Sequence, residues 1–211
     1  MRAEPYHAVG AAVALVLAAI PAESISGQDV RLTSVTVVGG DSTDMRVTAV
    51  REAIAFWNRT LDSLGAPRRL QAPLFLKRRI APATIGEYAA TVTGGARPQD
   101  PKQLLSLPGD IVIVLANDII SFAIPIGRAG RRLIGLRSGR GEPMRRPNVA
   151  RNVIAHEIGH ALGLHHNRNP AMLMCGRPTR CRPGLYESDS LRFFPLTASE
   201  AVALVGSGGR R

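Results

Sequence analysis

Cysteine is absent ahead of Cys175, and no histidine occurs between His7 and His156. That long stretch therefore offers neither thiol nor imidazole to a metal ion. Lysine is nearly missing as well: 25 arginines stand against Lys77 and Lys102, so the net charge of +11 is almost wholly arginine. Spread along the whole chain, such a bias reads as compositional. Aromatic residues make up 4% of the chain, and none interleave with the arginines as a single-strand binding platform requires, so no nucleic-acid partner is expected. Internal repeats and low-complexity blocks are also missing.

Long apolar runs are confined to one place. Residues Val9 to Ile20, "VGAAVALVLAAI", form a twelve-residue apolar core behind Arg2, with a small-residue boundary near Ala22. That length suits a secretory signal peptide and is short of the ~18–20 residues of a membrane span. Residues 1–22 are thus read as a signal peptide, with cleavage anywhere from Ala22 to Gly27, and a buried N-terminal helix is the competing reading. The expected protein is secreted or otherwise extracytoplasmic, without a stable membrane span. Residues 23–211 are long enough for a single domain with a real core.

Along that domain, residues 30–38 are β-branched and partly alternating, as in a strand. "DSTD" then offers helix caps, and Val47, Val50, Ile54, Trp57, Leu61 and Leu64 recur at helical spacing up to Gly65. Residues 74–80 suggest a second strand, and "DIVIVLA", 110–116, a strand buried on both faces. "RRLIGLRSG", 131–139, reads as a strand at a sheet edge. Residues 81–109 are punctuated by proline and glycine and suggest a short helix or a mobile loop. Asn148 is the expected cap of a helix from Val149 to Leu162, and Thr197 with Glu200 forms a capping box for a last short helix.

The chemistry is concentrated in "HEIGHALGLHHNRNPAMLMCG", residues 156–176. His156 and His160 stand four apart, so a helix projects both imidazoles from one face toward one tetrahedral ion. Glu157 lies beside them, placed to act as a base without ligating. Gly163 can end the helix in the left-handed conformation, and His166 can then swing back as a third ligand. The string H-E-x-x-H-x-x-G-x-x-H arises by chance in on the order of one such chain in a hundred thousand. Three imidazoles suit one catalytic Zn2+, whose fourth position is left to a water acidified to a pKa of ~7. Glu157 would take that water's proton and pass it to a leaving amine. His165 is read as a bystander or pocket-wall residue.

The string is the signature of the metzincins, and "HEIGHALGLHHNRNPAMLM" resembles the active-site segment of their matrixin branch. The resemblance implies an α+β fold: a twisted mixed β-sheet, an active-site helix, a methionine turn and a C-terminal helix. It places Met174, eight residues after His166, in the methionine turn beneath the imidazoles, with Met172 the alternative. It implies a zinc-dependent metalloendopeptidase acting on an extended polypeptide substrate that pairs with an edge strand, for which "RRLIGLRSG" is the expected segment. The chain is expected to act as a monomer.

The pair Cys175 and Cys181 most simply forms a local disulfide outside the cytosol, which in such a fold would staple one wall of the specificity pocket. Free or metal-binding thiols are the alternative. Departures from the family are Asn167 where matrixins carry serine, no cysteine before His156 for latency by zinc ligation, and no histidine-rich loop for a second zinc. Structural calcium stays undecided. Two other readings remain: a non-catalytic zinc-binding module of the same fold acting in protein binding, and a zincin whose third ligand is a distant glutamate such as Glu187 or Glu200.

Overall fold

A computed structural model describes residues 30–40, 43–96, 99–138, 144–176 and 192–206. The expected signal segment, Cys181 and Glu187 lie outside them. In chain order the elements are β1 (Arg31–Thr33), β2 (Val35–Val38), α1 (Met45–Ser63), β3 (Arg68–Leu70), β4 (Leu74–Leu76), α2 (Pro82–Thr93), α3 (Lys102–Leu105), β5 (Ile111–Leu115), β6 (Phe122–Pro125), β7 (Arg132–Leu136), α4 (Pro147–Ala161) and α5 (Ala198–Gly206). No helix among the described residues is long and apolar enough to cross a membrane.

The main sheet has the order β4-β2-β5-β7-β6, parallel throughout except for β6, which runs antiparallel to β7. β1 and β3 form a separate parallel pair. The single strand expected over 30–38 is broken at Ser34, whose backbone N–H and Oγ both donate to the Asp110 carboxylate.

β5 shows why the sheet is covered on both faces. Ile111, Ile113 and Leu115 pack into one apolar cluster with α1 and α4, whereas Val112 and Val114 pack into another with α2 and α3. An unbroken apolar strand is what such two-sided burial requires.

Of the two readings of residues 81–109, a short helix or a mobile loop, the helical one holds over Pro82–Thr93 and Lys102–Leu105. These helices, α2 and α3, cover the second face through Ile85, Tyr88, Ala89 and Leu104. The proline at the start of α2 is a helix-starting signal rather than a breaker. Gly94 and Gly95 close that helix.

β7 also departs from expectation. It lies between β5 and β6, so the edge strand is β6 and not "RRLIGLRSG". A five-residue strand buried along Leu133–Leu136 is an interior strand, although the glycines on either side of it suggested an edge. α4 likewise starts two residues earlier than expected. Arg146 is its cap residue and Pro147 opens it, while Asn148 is buried and accepts from Asn152 Nδ2 at 3.1 Å. The final helix follows its capping box: Thr197 N–H donates to Glu200 Oε2 at 2.8 Å, and Glu200 N–H to Thr197 Oγ1 at 3.2 Å.

α1 and α4 pack against each other and fix the height of the histidines. Trp57 of α1 is fully buried and its indole N–H donates to the Ala155 carbonyl at 2.9 Å. Arg151 of α4 reaches back to Glu52 with two bonds of 2.9 and 3.1 Å.

Candidate active site

α4 brings His156 and His160 to one face and ends directly after them. The ending is a full Schellman motif: Gly163 has φ +100°, its N–H donates to the His160 carbonyl at 3.0 Å, and Leu164 N–H donates to Gly159 at 2.9 Å. Only glycine adopts that φ without strain. The turn it makes returns His166 to the other two imidazoles.

The three Nε2 atoms converge. They stand 3.1 Å apart for His156 and His160, 2.9 Å for His160 and His166, and 3.2 Å for His156 and His166. Tetrahedral ligands at ~2.0–2.1 Å from zinc stand about 3.3 Å from one another, so the triangle has nearly the required size.

Protonation agrees with metal binding. His156 Nδ1 lies 2.8 Å from the Leu173 carbonyl, and His160 Nδ1 2.8 Å from the Leu164 carbonyl. A carbonyl only accepts, so both Nδ1 atoms carry the proton and each Nε2 turns a lone pair inward. Burial, opposed by the bond to Leu164 and reinforced by His166, His165 and Arg132, pushes His160 below the ordinary histidine range. Burial and His165 do the same to His166. Neutral imidazoles are the ligand form. Among the described residues these three form the one group of histidine, cysteine or acidic side chains able to hold a metal ion.

Glu157 is buried and makes no hydrogen bond or ion pair with any described residue. Burial alone raises its carboxyl to about 8. An uncompensated carboxylate inside a protein is costly, and this one lies beside the converging Nε2 atoms.

Beneath the histidines the chain folds back tightly. Asn167 N–H donates to the Met174 carbonyl at 2.8 Å, and Gly176 N–H to the Asn167 carbonyl at 3.0 Å. Met174 is fully buried, whereas Met172 is partly exposed. Cys175 is buried beside it and pairs with Asn167 in a parallel bridge. His165 is exposed and stands outside the trio.

The structural roles of two residues were not read from the sequence. Gly159, a variable position of the motif, leaves the space that Met174 fills; a glycine inside an otherwise regular helix was the available signal. Asn167 donates through Nδ2 to Glu200 Oε1 at 2.6 Å and so ties the histidine loop to α5. Both Glu200 oxygens are thereby used, one by Asn167 and one by Thr197. That removes Glu200 as a third metal ligand and gives the departure from serine a structural reason.

The family model for matrixins matches residues 139–182, the segment that carries the whole histidine string. No curated protein matches the chain. Among solved structures, archaemetzincin from Methanopyrus kandleri is similar over 88% of this chain and 100% of its own, at 12% identity and a TM-score of 0.50. The fold is metzincin-like. A structure described as a chaperone-substrate complex matches at 14% identity and a TM-score of 0.51 over 85% of this chain, which spans 35% of that one. Metalloproteinase-II from Bacteroides fragilis matches at 13% identity and a TM-score of 0.48, over 84% of this chain and 53% of its own. In the metzincin-like frame the open edge beside α4 belongs to β6. Ile126 N–H donates to the Arg131 carbonyl, so alternation along the antiparallel ladder turns the N–H and C=O of Ala123 away from β7, toward that open edge.

Proposed function

We propose that the protein is an exported zinc-dependent metalloendopeptidase that hydrolyses peptide bonds in extended polypeptides. The observation that carries this reading is the convergence of His156, His160 and His166 beside the partnerless, buried Glu157. The three Nε2 atoms would hold the ion. When bound, zinc supplies a Lewis acid that polarises a carbonyl and acidifies water toward neutral pH. Glu157 accepts a proton from the attacking water through its carboxylate and returns it to the nitrogen of the departing amine. Water and peptide are consumed, and a carboxylate and an amine leave.

The backbone of Ala123 pairs with the substrate in the way an added strand pairs with a sheet edge, which grips a peptide with little regard to its sequence. Met174 and Gly159 set the floor beneath the imidazoles. A disulfide between Cys175 and Cys181 staples the chain that leaves this floor. The apolar N-terminal run, residues 9–20, directs the chain out of the cytosol, where that disulfide persists.

The test uses the whole protein, zinc-loaded and oxidised, with an unfolded protein as substrate. Hydrolysis that chelation abolishes, and that Glu157→Ala loses while still holding one zinc per chain, supports the reading. A zinc-replete wild-type protein that cleaves no unfolded or peptide substrate overturns it in favour of a binding module.

A further inference from the structure

Two adjacent arginines enter β7 and leave it on opposite sides. Arg131 is buried and spends its guanidinium on four carbonyls, those of Leu104, Leu105, Leu107 and Gly109, at 2.5 to 3.3 Å. Arg132 shares its strand face with Ile134 and Leu136, which pack with α1 and α4, whereas Leu133 packs on the α2 side. Alternation therefore brings the Arg132 side chain out on the side of the histidine helix.

Three observations give that side chain a place and leave it without a structural purpose. In register it stands opposite Pro125, the last residue of the open edge strand β6. Its strand packs against α4, the helix that carries His160. The residue is half-buried, and its guanidinium makes no hydrogen bond or ion pair with any described residue. By contrast, the buried Arg46 and Arg151 are both paired, with Asp44 and Glu52. The nearby Asp110 carboxylate is already taken by Ser34 and Arg128. Arg132 forms no ion pair with Glu157.

An unpaired guanidinium beside a site built for a dication is electrostatically unfavourable unless a ligand neutralises it. The planar fork suits a carboxylate, bound by two parallel N–H···O bonds.

We propose that Arg132 forms a carboxylate-binding subsite at the Pro125 end of β6, and that it selects polypeptides presenting a carboxylate there. The proposal rests on the peptidase reading. The carboxylate comes either from an aspartate or glutamate side chain or from the end of the substrate chain, and the two sources are separable.

The test uses peptide pairs that differ only in glutamate against glutamine, scanned through successive positions, and each made with a free or an amidated C-terminus. For wild-type protein one position, or the free terminus, raises kcat/KM by about tenfold, the size of one partly exposed charge-assisted pair. Arg132→Gln removes that preference, so that glutamate and glutamine peptides are cleaved at equal kcat/KM. Arg132→Lys keeps part of the preference, and Arg132→Glu turns it toward lysine. A preference that follows the side chain or one that follows the free terminus supports the subsite and assigns its source. Equal cleavage of every pair by wild type, or a preference that survives in Arg132→Gln, overturns it.

A second arm needs no turnover: zinc-loaded Glu157→Gln is titrated against rhodamine-labelled versions of the same peptides by fluorescence anisotropy. Discrimination there that vanishes with Arg132→Gln upholds the subsite even where wild type cleaves nothing, an outcome in which the peptidase reading alone fails. Absence of discrimination in binding overturns the subsite whatever is cleaved.

Discussion

The Cβ that Gly159 lacks would lie 2.6 Å from the sulfur of Met174 and 3.1 Å from the ring of Trp57. α4 is therefore held by α1 on one side and by the methionine turn beneath, and no side chain larger than hydrogen fits between. Gly159→Ala must push one of the two away, at a cost of about 1–3 kcal/mol, the range for overpacking a close-packed core. Because His156 and His160 flank the position, zinc affinity falls with stability. Met174→Leu, close in volume and unbranched at Cβ, costs under about 1.5 kcal/mol and keeps zinc. Denaturant midpoints and zinc titrations of both variants check the pair. An unchanged Gly159→Ala midpoint would show that the gap is larger than the structure gives.

Glu157 is the group whose removal separates binding from chemistry. Glu157→Gln is isosteric and leaves the three Nε2 atoms untouched, so the variant still holds one zinc per chain. Its hydrolysis falls by about 10²–10⁴, the usual worth of a positioned general base. In the metal-free protein the same change takes away a carboxyl that burial pushes up to about 8 and that must take up a proton on folding, so the variant is at least as stable as wild type at neutral pH. Rates, metal content and melting temperature are read on one preparation. Lower metal-free stability would mean that Glu157 has a structural partner.

Arg131 joins the second helical layer to the β7–β6 edge of the sheet, since it binds carbonyls around α3 from the residue that precedes β7. Tyr88 and Asp100 continue the same support: the tyrosine hydroxyl bonds the carboxylate, which also accepts from Gly127 N–H at 3.0 Å just past β6. Arg131→Met orphans several buried carbonyls at once, and a loss of about 2–4 kcal/mol follows. Tyr88→Phe costs about 1 kcal/mol. Chemical denaturation measures both, and protease nicking within 99–109 reports the loosened layer. Resistance to nicking in Arg131→Met would show that α3 is held by its apolar contacts alone.

Legibility in the sequence followed how local each cause was. The trio of histidines, Gly163 and the Thr197–Glu200 box are set by neighbours within a turn or two, and spacing alone located them. α1 was equally plain because its apolar stripe is long. Position in the sheet was not legible: whether β7 is an edge or an interior strand depends on β6, a four-residue element with no alternation to announce it. The segment 81–109 was opaque for the same reason. Its prolines mark helix starts, but only the sheet face it covers explains why Ile85 and Leu104 are apolar.

Acid stability tests the break between β1 and β2. Burial alone would raise the Asp110 carboxyl, yet the bonds from Ser34 Oγ and N–H, with Arg128, hold it below its ordinary value. A depressed folded pKa contributes stability at pH above the unfolded value, and that contribution is lost as pH falls through the folded one. Asp110→Asn is thus less stable than wild type at neutral pH, and the gap narrows below about pH 4. Melting temperatures of both proteins across that range check the sign. A gap independent of pH would assign the effect to packing.

Ala123 tests the edge itself. Its N–H takes no part in the ladder to β7, so proline there removes a donor that the sheet does not use, as Pro125 already does two residues on. The folded protein should tolerate Ala123→Pro with a stability change within about 1 kcal/mol. A substrate strand laid along β6 loses one backbone hydrogen bond, about 1 kcal/mol or a five- to tenfold rise in KM. Because that bond is made in the ground state as well as at the transition state, kcat changes little. Ala123→Val, which keeps the donor and adds bulk, separates steric exclusion from the missing N–H. Equal KM values for wild type and Ala123→Pro, with the fold intact, would place the bound polypeptide on another surface.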